Sequence, residues 1–119
     1  MALKRDFISS HFPYLSIQLQ VRQRQEQLEV LLDTGFDGDI AIPKGLLTNG
    51  DLPDGLLPWQ LADGSEIIAP AYIGRVKIGN TPSIPVVIIT LGDEALIGQG
   101  IIKHFSITLD HGKKVIVEK

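Results

Sequence analysis

Apolar and polar residues alternate near the start of the chain in a way that indicates paired β-strands. In residues 14–21 (YLSIQLQV) every second side chain is apolar, a period of two that predicts a strand with one buried face. Residues 22–27 are polar and predict the tip of a hairpin. Residues 28–32 (LEVLL) then predict a returning strand that is more deeply buried, because its apolar residues are nearly continuous.

Further along, short apolar runs separated by glycine, proline and aspartate predict more strands. Residues 39–43 (DIAIP) predict a short strand that ends at a proline. Residues 59–69 (WQLADGSEIIA) contain two runs that meet at Asp63-Gly64, a pair that favours hairpin turns because such turns require positive φ angles. Two more strands are predicted in residues 71–80 and 84–90.

The C-terminal part of the chain predicts one short helix and a last hairpin. The helix, of about two turns, is expected after Gly98 or Gly100. In the last hairpin a turn at residues 110–112 is flanked by inward-facing apolar residues, Ile107, Leu109, Val115 and Val117. The chain is thus predicted to be mainly β and to form a closed or nearly closed barrel, because strands do not alternate with helices.

Length and composition fit one compact domain over residues 1–119. The net charge is −3 and the 11 Lys and Arg residues are dispersed, so neither nucleic acid nor an anionic membrane is expected as a partner. The chain has no cysteine, which excludes thiolate metal sites and cysteine nucleophiles. Neither a secretion signal nor an apolar run that could cross a bilayer is recognisable, and a cytoplasmic location is expected.

One acidic residue stands at an unusual place in this pattern. The apolar residues 30–32 (VLL) end on Asp33, which is followed by Thr34 and Gly35. Asp-Thr-Gly is compatible with a simple turn, in which the aspartate accepts a hydrogen bond from the backbone two residues further on. The apolar run before it instead places the carboxylate inside the protein body, and buried carboxylates are tolerated mainly where they are used. Asp33 is therefore a candidate functional residue.

Residues 31–43 (LLDTGFDGDIAIP) resemble the active-site segment of retropepsin-like aspartic peptidases, the single-domain relatives of pepsin. The resemblance continues in residues 94–118 (EALIGQGIIKHFSITLDHGKKVIVE), which match the apolar-apolar-glycine segment, the short helix and the last strand pair of that family. Residues 59–69 lie where the family has its flap hairpin. The resemblance implies a closed barrel of six or more strands with one short helix in the C-terminal half and a flap hairpin.

The resemblance also implies an aspartic endopeptidase that hydrolyses peptide bonds without a cofactor or a metal. Such enzymes need two carboxylates that share one proton. Because the chain has one Asp-Thr-Gly, the second carboxylate would come from a second copy. The expected partners are therefore the chain itself, in a homodimer, and a peptide or protein substrate. Asp33 would be the catalytic acid, Thr34 would bond across the two-fold axis, and Gly35 would let the backbone approach the substrate.

Further residues would bind substrate if the resemblance holds. Asp37, at the spacing of an acid in the retroviral members, would contact the substrate backbone, or would be a solvated turn residue. Gly98 would pack beneath the active-site loop. The flap tip would close over the substrate, or would be a plain surface turn; it consists of Ala62, Asp63, Gly64 and Ser65.

The chain also departs from the family pattern. The retroviral members carry arginine and then Asp or Asn after the late glycine, whereas this chain has Gln99 and Gly100, so the arginine-centred interface network is absent or replaced. Residues 1–15 match no part of the family and could be an interface strand or a loose tail. Two other functions stay open: a non-catalytic peptide-binding or dimerisation module of the same fold, and an unrelated small barrel in which Asp-Thr-Gly is only a turn.

Overall fold

The computed structural model describes residues 7–47 and 52–119. Over these ranges the chain is mainly β, as predicted, with a 3-10 helix (Lys44–Leu47) and one short α-helix, α1 (Gln99–Ile102). The described strands are β1 (Phe7–Ser9), β2 (Tyr14–Val21), β3 (Arg24–Leu32), β4 (Ile40–Ile42), β5 (Gly55–Gln60), β6 (Glu66–Lys77), β7 (Ile84–Thr90), β8 (Leu96–Ile97), β9 (Ser106–Asp110) and β10 (Lys114–Glu118). Across residues 7–47 and 52–119, no helix has both the length and the apolar character that a membrane crossing requires.

Two sheets organise these strands. In the larger sheet the order is β2-β3-β8-β4-β7-β6-β5. In addition, β6 pairs with residues 18–20 of β2. Six strands therefore pair in a ring, with β5 extending beyond it. The smaller sheet has the order β1-β10-β9. The ring is compatible with the predicted closed barrel, which stays a prediction.

The first hairpin follows the predicted alternation but has a shorter turn. The inward residues of β2 are all buried, namely Leu15, Ile17, Leu19 and Val21. The turn consists of residues 22 and 23, because Val21 already pairs with Arg24 at the start of β3. Arg22 adopts a φ of 55°, as a tight hairpin turn requires. The predicted polar connection over residues 22–27 is thus mostly strand, since a strand that extends beyond the core needs no apolar side chains.

The apolar core has two parts on opposite faces of the larger sheet, and β4 lies between them. Ile40 and Ile42 pack in the main cluster, together with the inward side of β2. Ala41 points to the other face, where it joins Phe36, Ala69 and other residues of a smaller cluster beneath the β5–β6 hairpin. Because both faces of β4 are covered, all three of its residues are buried. This second cluster carries the candidate site.

The C-terminal elements differ from the prediction in two respects. The helix α1 has 4 residues rather than about two turns. After it, His104 and Phe105 donate backbone hydrogen bonds three residues back, in the tighter 3-10 pattern, and the chain enters β9 at Ser106. In the last hairpin Val115 and Val117 are buried as predicted and Ile107 packs against the main cluster, whereas Leu109 is exposed on β9, the outermost strand of the smaller sheet.

The N-terminal segment contributes a strand to the smaller sheet. Residues 7–9 pair with β10 in antiparallel register, Phe7 opposite Val117 and Ser9 opposite Val115. Residues 1–6 lie outside the described ranges. An interface role for residues 1–15 stays a prediction.

Candidate active site

Asp33 follows the last residue of β3 and is held there by the neighbouring strand. Leu31 and Leu32 pair in parallel with the two residues of β8. The backbone N–H of Asp33 continues this ladder by donating to the carbonyl O of Ile97 at 3.0 Å. Asp33 is half-buried. It begins the segment 33–39, which connects β3 to β4 and is named the Asp33 loop. The prediction that residues 28–32 are more deeply buried than β2 is wrong, because Val30 alone among them is buried while Leu31 and Leu32 are half-buried. The pairing of the backbone, rather than burial, thus fixes the point from which the carboxylate projects.

The carboxylate of Asp33 is oriented by its own turn. Its Oδ1 accepts a hydrogen bond from the backbone N–H of Gly35 at 2.9 Å. The N–H of Phe36 donates to the carbonyl O of Asp33 at 3.2 Å. The turn that Asp-Thr-Gly favours is therefore present. This turn is compatible with a purely structural Asp33 and also with a reactive one, because the bond from the Gly35 N–H holds the carboxylate in one orientation.

The segment 97–100, which joins β8 to α1, lies beneath the Asp33 loop and is bonded to it along its length. Three further backbone hydrogen bonds connect the two segments: Gly98 N–H to Asp39 O at 3.0 Å, Gln99 N–H to Phe36 O at 2.8 Å, and Gly100 N–H to Gly38 O at 3.0 Å. A side chain adds another bond, since Gln99 Nε2 donates to the carbonyl O of Thr34 at 2.7 Å. The loop is thereby held as part of a continuous backbone network.

Gly98 is buried beneath the Asp33 loop. It does not line the groove described below. Asp37 is exposed and lies at the groove. Asp39, which the sequence analysis did not single out, points back into the fold, where its Oδ2 accepts the backbone N–H of Val87 at 2.8 Å.

The β5–β6 hairpin has its tip at the predicted Asp63-Gly64 pair. Leu61 N–H donates to Ser65 O at 2.7 Å, and Gly64 has a φ of 89°. The Oδ1 of Asp63 accepts the Ser65 hydroxyl at 2.5 Å and the Ser65 N–H at 2.9 Å. These two bonds lower the pKa of Asp63 below its ordinary value, the hydroxyl contributing most. The tip is thus a compact, exposed and negatively charged turn.

A groove of 460 Å³ lies between the Asp33 loop and this hairpin. Its lining includes four of the residues predicted for the site, Asp33, Gly35, Asp37 and Ala62. The other lining residues are mostly apolar: Phe36, Pro58, Trp59, Gln60, Leu61, Leu91 and Leu96. Thr34, Asp63, Gly64 and Ser65 are exposed but are not among the lining residues of one chain.

An aromatic contact joins the hairpin to the Asp33 loop. The rings of Phe36 and Trp59 have centroids 5.4 Å apart and planes inclined by 55°, a tilted arrangement that aromatic pairs favour. Phe36 was not predicted to matter. The signal in the sequence is that Phe36 is the one large apolar residue within residues 33–39. In the sequence Gln99 stands out only as a departure from the arginine of the retroviral members, and nothing local predicts its bond to Thr34.

The site can supply the Asp33 carboxylate to a ligand in the groove, with Asp37 as a second acid nearby. Within the described residues, no three His, Asp or Glu side chains form a group that could hold a metal ion. The two carboxylates thus stand among mostly apolar lining residues, as is usual for a ligand-binding groove.

Comparison with known proteins supports the fold. The structure is similar to the crystal structure of a retropepsin-like aspartic protease from Rickettsia conorii, with a TM-score of 0.56 and 19% sequence identity. The match covers 98% of this chain and 96% of that chain. The two proteins share a fold. No protein-family model and no curated protein matches the chain.

Proposed function

We propose that the chain is an aspartic endopeptidase that acts as a homodimer. The observation that carries the proposal is the position of Asp33: a carboxylate held where β3 ends by a backbone hydrogen bond to β8, at the wall of a groove covered by a hairpin. The retropepsin-like fold agrees with this function. A surface turn alone would not require the groove, the hairpin and the bonded support beneath the loop.

The reaction needs a second copy of the chain. Two carboxylates must lie within hydrogen-bonding distance, because one of them acts as a base while the other holds a proton. The sequence contains one Asp-Thr-Gly, so a two-fold axis beside Asp33 would supply the partner carboxylate. Thr34 is exposed next to Asp33 and would bond across that axis.

In the proposed reaction the ionised Asp33 takes a proton from a water molecule, and the water oxygen attacks the scissile carbonyl carbon. The protonated Asp33 of the other copy donates its proton to the carbonyl oxygen. The resulting diol then collapses, the carbon–nitrogen bond breaks, and a proton passes to the leaving nitrogen. Because the pair must hold one proton between its two members, activity should favour acidic to mildly acidic pH.

The groove suggests how the substrate would bind. An extended peptide would lie across the two-fold axis and bond to the protein mainly through its backbone. Asp37 would contact that backbone from the loop side. The tip residues Ala62, Asp63, Gly64 and Ser65 would close over the peptide, and Gly98 would keep the Asp33 loop in place from below.

The test is a comparison of Asp33→Asn with the wild type and with Asp110→Asn, an acid in the last hairpin outside the groove. Cleavage of a peptide library should disappear in Asp33→Asn and persist in Asp110→Asn, while sedimentation shows the same dimer in all three. Cleavage that survives Asp33→Asn would refute the catalytic assignment. Saturable peptide binding without turnover by the wild type would instead favour the non-catalytic module.

A further inference from the structure

One planar peptide unit connects Gln99 to the carboxylate of Asp33. The carbonyl O of Thr34 and the N–H of Gly35 belong to the same peptide group, which is rigid and planar. Its carbonyl accepts the side-chain amide of Gln99 at 2.7 Å. Its N–H donates to Asp33 Oδ1 at 2.9 Å. A change at Gln99 therefore reaches the carboxylate through a single rigid unit.

Gln99 is itself well anchored for such a role. It is the first residue of α1 and follows the buried Gly98. Its backbone N–H donates to the carbonyl O of Phe36 at 2.8 Å. Gln99 thus bonds to the Asp33 loop at two carbonyl groups, those of Thr34 and Phe36. These lie on either side of Gly35, whose N–H holds the carboxylate.

We propose that Gln99 is a positioning residue for the Asp33 carboxylate, a role that rests on the proposed peptidase function. Its amide holds the 34–35 peptide plane, and that plane holds Oδ1. The hydrogen bond to the carbonyl also polarises the peptide group and strengthens its N–H as a donor. In the homodimer each copy would use its own Gln99, because both bonds lie within one chain.

A merely structural role makes a different prediction. Gln99 is exposed, so replacing it leaves no cavity in the core, and loss of an exposed hydrogen bond alters stability little. Positioning acts on geometry instead. A reactive group displaced by about 1 Å can lose about a hundredfold in rate. The turnover number should therefore respond much more strongly than stability or substrate binding.

The test compares two replacements of Gln99. Gln99→Met keeps the length of the side chain and removes the donor, whereas Gln99→Arg keeps a donor on a long side chain. The control is Gln25→Met, an exposed glutamine near the distant β2–β3 turn. Kinetics are measured at protein concentrations at which the dimer is fully formed. Exchange of the Gly35 amide proton, followed by NMR, serves as a readout that needs no activity.

We expect kcat of Gln99→Met to fall at least tenfold with little change in KM, consistent with a displaced reactive group. Gln99→Arg and Gln25→Met should stay near the wild type. Unchanged kcat in Gln99→Met, or an equal loss in Gln99→Arg, would overturn the proposal. If the wild type cleaves no peptide, the peptidase function fails separately. In that case the exchange rate of the Gly35 amide proton tests the positioning contact. A faster rate in Gln99→Met than in Gln25→Met supports the contact, and equal rates refute it.

Discussion

Gly98 lies so close beneath Phe36 that no side chain fits between them. A Cβ on residue 98 would be 2.5 Å from the carbonyl O of Phe36, and equally close to its Cδ2 and to the carbonyl O of Gly38. Two of these three atoms belong to the backbone, which cannot rotate away as a side-chain end can. The separation between the Asp33 loop and the segment 97–100 is therefore set by the absence of a side chain at this position.

Replacing Gly98 with alanine should destabilise the protein and displace the loop. Overpacking of this kind costs about 1–3 kcal/mol, and the backbone contacts place Gly98→Ala at the upper end of that range. The free energy of unfolding can be measured in urea. The control is Gly45→Ala in the 3-10 helix, where a Cβ would meet nothing within 4 Å. Equal free energies of unfolding for the two variants would contradict the prediction.

A second close approach predicts coupling between Gly100 and Asp39. A Cβ on residue 100 would be 1.8 Å from Asp39 Oδ1, so Gly100→Ala should expel the carboxylate from its hydrogen bond with the Val87 N–H. The free energies of unfolding of Asp39→Ala, Gly100→Ala and the double variant should be non-additive, with a coupling of about 0.5–3 kcal/mol. The added methyl should cost much less once residue 39 is alanine, although the Asp39 Cα stays at 3.2 Å. Additive effects would mean that the two positions are independent.

Asp39 also shows what a local pattern can and cannot predict. The turn after Asp33 is determined by residues close in sequence, and its hydrogen bond from the Gly35 N–H is the one that Asp-Thr-Gly favours. Asp37 and Asp39 lie two residues apart, and the local pattern does not predict that one is exposed while the other bonds within the fold. What separates them is Val87, whose N–H lies 48 residues further along the chain and is brought to Asp39 by the sheet. Gln99 and Thr34 are likewise 65 residues apart.

Alternation predicts the face of a residue but not how far the core extends. Leu109 and Val115 are directly paired in the last hairpin, and both were predicted to face inward. Val115 is fully buried, whereas Leu109 is 52% exposed. Their sequences give no hint of this difference, since it depends on β10 being central and β9 outermost in the smaller sheet.

The tip of the β5–β6 hairpin should lose stability in acid. Ser65 lowers the pKa of Asp63, so the ionised carboxylate is favoured in the folded turn. The contribution is complete above the pKa of Asp63 in the unfolded chain and is lost as pH falls through the lower, folded value. Ser65→Ala removes the hydroxyl and should raise the pKa of Asp63 towards its ordinary value, which NMR of the carboxyl group can follow. An unchanged pKa of Asp63 in Ser65→Ala would contradict the prediction.

Trp59 is the only tryptophan in the chain, so its fluorescence should report how closely the hairpin lies on the Asp33 loop. Its indole packs against Phe36, and Phe36→Leu would remove much of that cover. We expect the emission of Phe36→Leu to shift to the red and its quenching by acrylamide to increase.

The control for this measurement is Phe105→Leu, since Phe105 packs against the main cluster and not against the hairpin. Both substitutions remove an aromatic ring from an apolar cluster, Phe36 being buried and Phe105 half-buried, so general loosening of the fold would appear in both variants. A contact specific to the hairpin predicts increased quenching in Phe36→Leu alone. Equal quenching in the wild type and in Phe36→Leu would mean that Phe36 does not shield the indole in solution. The hairpin would then stand away from the loop, and the volume of the groove would exceed 460 Å³.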